Sequence, residues 1–503
     1  MTRSLRLFAA ALALTGCPSK DNGPAKVEHA AAVVDAGPPT TLTFVVTGAE
    51  NGYLLATASA EAPHGGAAEV AGRWVAEGLC VAPTKDDGSA GCADSGTIPL
   101  STGDNANGAS ISSYFRGEST AEVMHQLGYV ASAFGNRELD WSREQFVANG
   151  KRGGFPYLAA NLEATTDEAR ALGLQSFRVI ERRGVKVGVV GLAARKATLT
   201  PMPGRMAGFS LVADDVALAR AVAGARAAGA QVLGVVTDGC LHEVPEVLTA
   251  HADWGLAFVA GRDCEAPWPP MVGATALVYP GRHFNAYARV TVTVVGGKVA
   301  GVTSALVDVT SPAGSPPPAP EVKAVIDGWK KKHDDALGER IGFTASGLEQ
   351  EGGRMSAWLT GALKERFKTD VALLNRKTVR QALPAGPVTK ASIWDLVPFE
   401  NEVVVIKITG AQLKAALSNI EAREAGVKSK DEQVFDLKGA PIDDAKTYTV
   451  ATTDYLYLGG DGFKLRDADP APTQTKVSIQ AAIIEWTAGR KSDEKKPLET
   501  GLK

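Results

Sequence analysis

The chain has 503 residues, 45% of them apolar and 22% charged, the balance of a globular protein that is too long for one hydrophobic core. Its 53 basic and 56 acidic residues give a formal net charge of −3. Composition therefore gives no support for nucleic acid as a partner, which needs a concentrated basic face.

The first 17 residues do not read as part of the fold. Arg3 and Arg6 precede a short apolar run, Leu7 to Leu14, too short to span a bilayer and suited to a cleaved export signal. The run ends Leu14-Thr15-Gly16-Cys17. That ending resembles a bacterial lipobox, in which the cysteine is acylated and becomes the new N-terminus. The alternative is an ordinary signal peptide with a chance cysteine. Acyl chains on Cys17 would contribute about 0.8 kcal/mol per buried methylene, and more than one chain anchors stably. Residues 18–40, rich in Pro, Gly, Ala and charge, read as a flexible tether. Export implies an oxidising compartment, so Cys80, Cys92, Cys240 and Cys264 are disulfide candidates, with more than one pairing open. Cys80 and Cys92 flank the polar loop Val81 to Gly91, which makes them the local choice and leaves Cys240 with Cys264.

From residue 41 to 310, short β-rich runs alternate with helical stretches. Thr43 to Thr47, Val185 to Leu192, Gln231 to Thr237 and Leu256 to Gly261 read as buried strands, and Asp214 to Ala228 as an amphipathic helix. Such alternation predicts an α/β layered domain. Residues 311–340 hold a stiff boundary, Ser311 to Pro320, and then a charged bridging helix from about Glu321 to Gly338. A second α/β domain spans 341–490, and 491–503 form a charged tail. No internal repeat and no transmembrane helix is expected.

Several strings carry a family resemblance. Ala133-Phe134-Gly135-Asn136-Arg137-Glu138-Leu139-Asp140 resembles the GNHE motif of calcineurin-like metallophosphatases, in the form found in 5'-nucleotidases. Around it stand Gly103-Asp104, Phe155-Pro156-Tyr157 through Asn161-Leu162, and Arg183 to Leu192, in the order of the family's GD, FP..SAN and NGVKIGVIG runs. Further on, Leu396 to Asn401 resembles LPFGN, and Thr409 to Lys414 resembles TGAQLK. Val450 to Asp454 with Gly459 to Phe463 resembles VATNDF…GGDGY. The resemblance covers residues 41–486 and implies a two-domain α/β (α+β) protein. A four-layer αββα metallophosphatase sandwich would be followed by a smaller α/β nucleotide-specificity domain.

The family's reaction is hydrolysis of a nucleotide phosphoester. It needs carboxylate and imidazole ligands at strand ends that hold two cations about 3.5–4 Å apart. Here the opening TNDxHG run is Thr47-Gly48-Ala49-Glu50-Asn51-Gly52, without its Asp and His. Asp104, at the bridging-carboxylate position, and Asn136 are retained. Arg137 replaces the His that helps stabilise the transition state. Asp238 replaces a ligand His, and Arg262 and Cys264 replace two more. Cys240 and Cys264 fall at the ends of two strands that reach the metal site in the family. One expectation is thus a disulfide stapling this site, with Arg137 and Arg262 in the former metal space. The rival is a remodelled single-metal site holding Zn, Mn or Mg through Asp104, Asp238, Cys240, His242 or Cys264. His242 also reads as a surface or capping residue.

In the second domain the family stacks the base between two rings, and Phe399 and Phe463 fall on those positions; both also read as core. Asn375 and Arg380 match substrate-binding residues, while Arg376, Lys377 and Thr378 replace three glycines and make the loop bulkier. Arg376 and Lys377 could clasp an anion or form a solvated basic turn. Arg366 is a weaker match to a substrate arginine, and Glu400 puts an acid beside the base site.

The reading is an exported, membrane-anchored lipoprotein, periplasmic or at the cell surface, that binds a nucleotide or other small phosphorylated ligand. Two-metal hydrolysis is lost or strongly reduced and no cofactor is expected. The alternative is an active nucleotide phosphohydrolase with a remodelled metal site. A purely structural role predicts a groove filled by side chains such as Arg376 and Trp394.

Overall fold

The computed structural model describes residues 37–57, 65–83, 89, 91–93, 95–195, 202–264, 266–310, 315–430 and 433–502. Cys17 and the leader lie outside them. Residues Pro38–Lys503 cluster as one unit. Among the described residues no helix is long and apolar enough to cross a membrane.

The first half builds two six-stranded sheets. One runs Lys298–Asp308, Ala286–Val295, Thr40–Thr47, Thr97–Ser101, Ala131–Ala133, Tyr157–Leu158 in spatial order. The other runs Met271–Val272, Thr275–Val278, Phe258–Arg262, Val232–Cys240, Val185–Leu192, Phe177–Arg182. Alternate residues of their central strands (Leu42, Phe44, Val46; Val185, Val187, Val189) meet between the sheets, where Phe44 and Phe258 lie 4.8 Å apart. The outer face of the first sheet is covered by the helices Ala67–Ala76, Glu118–Gln126 and Arg143–Gly153, and that of the second by Asp214–Ala227 and Pro245–Ala250. This is the four-layer αββα sandwich. Strands Thr40–Thr47, Thr97–Ser101 and Ala131–Ala133 run parallel, as do Val232–Cys240 and Phe258–Arg262. Their carboxyl ends therefore gather on one edge, where open α/β sheets place ligands.

The Val232–Cys240 strand slips where it matters. Ala260 pairs with Val236 but Arg262 pairs with Cys240, so extra residues bulge on one side around Asp238. Bulges re-aim side chains at strand ends.

Helix Pro320–Leu337 starts with Pro in its first turn and buries Val322, Ile326 and Trp329 against the helical layer of the sandwich. Its outer face carries Lys323–Asp327, Lys330–Asp334 and Lys331–Asp335 pairs at i,i+4. The second half is a five-stranded sheet (Ala422–Ala425, Val371–Asn375, Thr447–Thr453, Glu402–Thr409, Thr473–Ser478). Helices Gly353–Phe367 and Ile479–Arg490 cover one face, and the short helices from Gly410 and Asp454 the other. The segment expected as a charged tail packs back. Leu498 and Leu502 join the apolar core, and Glu499 accepts the backbone N–H groups of Ala345 and Ser346. Two apolar residues among the charges suffice to dock it.

One junction between the halves centres on Ser110. Asp395 accepts the backbone N–H of Ser110 at 2.6 Å, and Ser110 Oγ lies 2.9 Å from His333 Nε2. Trp394 packs edge-on to Tyr114 at 5.3 Å; it belongs to this junction and fills no groove. Asp395→Ala leaves a buried N–H without its acceptor and should lower stability by about 1–3 kcal/mol in urea denaturation.

Candidate functional site

The sandwich edge is organised around Asp104. Strand Thr97–Ser101 leads into Gly103 and Asp104, both with left-handed backbones (φ 99° and 55°). A neighbouring turn passes so close that a Cβ on Gly135 would lie 2.5 Å from Asp104 Oδ1 and 2.8 Å from Glu138 Oε2; only glycine fits there. Asp104 Oδ1 accepts the backbone N–H of Arg137 at 3.0 Å, and Oδ2 accepts Arg262 Nη1 at 3.1 Å. The same Nη1 donates to Asp238 Oδ1 at 3.1 Å. One guanidinium nitrogen thus bridges carboxylates delivered by the two different sheets. Asp104 and Asp238 are 4% and 3% exposed, whereas the Arg262 side chain is 40% exposed. The arginine is a plug between buried acids and solvent.

Glu138 completes an acid cluster. Its Oε1 accepts the backbone N–H of Asn105, while its Oε2 and Asp238 Oδ2 are buried and have no hydrogen-bond partner among the described residues. Burial, then the charge of Asp104, raises the pKa of both Glu138 and Asp238, with Arg262 opposing the rise at Asp238.

These donors do not fit the two divalent cations that the sandwich holds in metallophosphatases. Such cations would have to occupy the place of a guanidinium already bonded to Asp104 and Asp238. The neighbouring loop offers Ala49, which has no donor, and Asn51, whose Nδ2 donates to the carbonyl of Asn107 at 3.2 Å. Asn136 sits half-buried on the turn between Gly135 and Arg137. Among the described residues no group of three or more His, Cys, Asp or Glu is arranged to hold a metal. The cysteine ligands of the single-metal rival are also consumed. Cys240 is bonded to Cys264 with Cα atoms 5.6 Å apart, and Cys80 to Cys92. His242 is exposed on the short turn Leu241–Glu243. One part of the stapled-site expectation needs correction. The Arg137 side chain does not join Arg262 between the acids. It turns to Asp140 at 3.4 Å and lies over the Phe399 ring, 5.1 Å from its centroid, because Arg262 already occupies the space between Asp104 and Asp238.

A cavity of about 360 Å³ opens beside this edge, lined by Arg137, Asp140, Asn375, Arg380, Phe399 and Tyr455 among others. Asn375 ends the strand Val371–Asn375 and donates to Asp461 Oδ2 at 2.6 Å. Phe399 follows the helix Lys390–Leu396 in a loop held by Gln480, whose Nε2 donates to the carbonyls of Val397 and Phe399 at 2.7 Å each. Phe463 is not brought here. It is 4% exposed in the apolar core with Leu456 and Leu465, so the two-ring sandwich expected from the motifs is not formed by this pair. The second ring lining the cavity is Tyr455, whose hydroxyl donates to Asp461 Oδ1 at 3.2 Å. Its signal lay in the sequence, since it directly follows Asp454 at a strand-to-helix turn. Gln480 and Asp140 carried no motif at all. Arg376 pairs with Glu351, Lys377 with Glu421 and Arg366 with Glu485. Glu400 pairs with Arg116 across the junction at 2.7 Å.

Both the bridge and the acid beside it can be tested through stability. Arg262→Ala would leave two buried carboxylates uncompensated. It should cost about 2–3 kcal/mol in denaturation experiments, less than a fully buried pair because the arginine is partly solvated. Glu50 is buried and accepts the backbone N–H groups of Gly48 and Phe284, and burial pushes its pKa up to about 8. A carboxyl raised in the folded state favours folding most at low pH and loses that advantage as pH rises through its folded value. The stability difference between the wild type and Glu50→Ala should therefore widen as pH falls from about 8 to 4.5. A constant difference would show that Glu50 folds ionised.

Comparison with known proteins places this geometry. The model of the 5'-nucleotidase C-terminal domain matches residues 334–467. The trifunctional nucleotide phosphoesterase YfkN of Bacillus subtilis is 22% identical over 447 residues, covering 73% of this chain and 30% of that protein. The chain spans about a third of the length of the first curated relatives it matches. Among solved structures, the 5'-nucleotidase precursor from Thermus thermophilus superposes with a TM-score of 0.70 at 20% identity, covering 90% of this chain and 97% of that one. A putative 5'-nucleotidase from Staphylococcus aureus, in complex with alpha-ketoglutarate, gives 0.65 at 15% identity, covering 89% and 96%. At these identities the structural likeness establishes the fold.

Proposed function

Since the chain belongs to the 5'-nucleotidase family, we propose that it binds a nucleotide or other small phosphoester in its interdomain cleft and hydrolyses it little or not at all. The observation that carries this reading is the Arg262 guanidinium bonded to both Asp104 and Asp238. A guanidinium has no acceptor and no vacant coordination position, so it cannot lower the pKa of a bound water as a divalent cation does. It can hold the strand ends together, which leaves ligand binding to the cleft beside them. The rival, an active hydrolase with a remodelled site, loses support because Cys240 and Cys264 are bonded to each other.

The residues proposed to hold the ligand are Asn375, Arg380 and Phe399, in a cavity that Tyr455 lines and Phe463 does not. Asp104, Asn136 and Asp238 are read as remnants of the metal site, and Arg137 as a non-catalytic replacement of the family histidine. The proposal includes export, cleavage and acylation at Cys17, a tether over 18–40, and domains at 41–310 and 341–490 joined through 311–340.

Phosphate release from a panel of 5'-nucleotides tests the reading. The oxidised protein with Mn, Co, Zn or Mg added should give no turnover above an Asp104→Ala control. Metal-dependent release that this substitution abolishes would establish the hydrolase instead.

A further inference from the structure

We propose that the cleft recognises its ligand through a compact dianionic group, phosphate or dicarboxylate, held between the guanidinium groups of Arg137 and Arg380 against the ring of Phe399, and not through a stacked base. This deepens the reading above, on which it rests, by naming the part of the ligand that is read.

Both guanidinium groups face the same ring. Arg137 Cζ lies 5.1 Å and Arg380 Cζ 5.7 Å from the Phe399 centroid, within the range of cation–π attraction. A planar base could stack where either guanidinium lies over the ring only by displacing it. The acids nearby are already engaged. Asp140 accepts Asn107 Nδ2 as well as Arg137, Asp461 accepts Asn375 and Tyr455, and Glu400 is paired with Arg116. Lys377, the third cation lining the cavity, is paired with Glu421 at 3.0 Å. Arg380 stands apart, exposed into the cavity, with no hydrogen bond or ion pair from its side chain among the described residues. Desolvation, then the charge of Arg137, holds its pKa below the ordinary arginine value. An anion between the two would relieve that repulsion and accept forked N–H donors, the geometry in which guanidinium binds phosphate or carboxylate best.

The sandwich edge cannot serve as the anion site instead. A phosphate there would face Asp104, Asp238 and Glu138, with one guanidinium nitrogen already shared between two of them. Without divalent cations to screen the acids, like charges exclude it.

Isothermal titration of the full chain with inorganic phosphate, succinate, AMP and adenosine tests the assignment. Phosphate and AMP should bind and adenosine should not. Affinity should fall with added salt, and Arg380→Gln should weaken AMP about tenfold or more, with Arg380→Lys between. Succinate binding beside phosphate would mark a site for dianions in general, and its failure a site for phosphate; either supports the proposal. Adenosine binding as tightly as AMP, AMP affinity unchanged in a folded Arg380→Gln, or no binding of any probe would overturn it. The two readings fail separately. Phosphate release would overturn the non-hydrolytic reading alone. Equal binding of adenosine and AMP would overturn the dianion assignment and leave nucleotide binding standing.

Discussion

Everything at the edge of the sandwich depends on the bridge from Arg262 to Asp104 and Asp238. The sheets deliver three carboxyl groups to one desolvated point, and such groups repel unless something positive lies between them. Metallophosphatases use divalent cations for this. Here one fixed positive charge lies between Asp104 and Asp238, and the raised pKa values of Glu138 and Asp238 record the repulsion and burial that remain.

The disulfide acts on the same two strands. Cys240 follows Asp238 by two residues and Cys264 follows Arg262 by two, so the covalent link and the ion pair brace one junction from adjacent positions. Closing a loop of this length, 24 residues in separation, reduces the entropy of the unfolded chain by the equivalent of about 3–4 kcal/mol. The bulge between Ala260 and Arg262 belongs to the same device, because it lets Asp238 and Arg262 meet although their strands pair in another register above.

The architecture was legible from the sequence and the site only in part. Strand Val185–Leu192 and helix Asp214–Ala227 match the expected spans within a residue, because continuous apolar runs and amphipathic periodicity survive substitution of the site. The pairing of Cys240 with Cys264 was also foreseen. The destination of Arg137 was not. Both arginines read as fillers of one space, but Arg262 alone bridges Asp104 and Asp238, and Arg137 lies over an aromatic ring beside Asp140. Phe463 failed for a different reason. A motif places a residue along the chain, not on one side of a turn, and the left-handed residues Gly459 and Asp461 carry Phe463 into the core while Tyr455 faces the cleft.

A fixed guanidinium differs from a metal in kind. A divalent cation can be lost, exchanged and hydroxylated, so a metallophosphatase edge has an empty state and a reactive state. Arg262 is permanently charged and covalently part of the chain, so this edge has one state. Its single charge leaves no surplus to attract a phosphate, since buried acids already claim it. Positive charge that can still be neutralised lies across the cleft at Arg380, beside Arg137, whose partner Asp140 is shared with Asn107. On the proposed reading, the strand ends act as a structural keystone, and the anion-attracting field lies toward the surface that the second domain supplies.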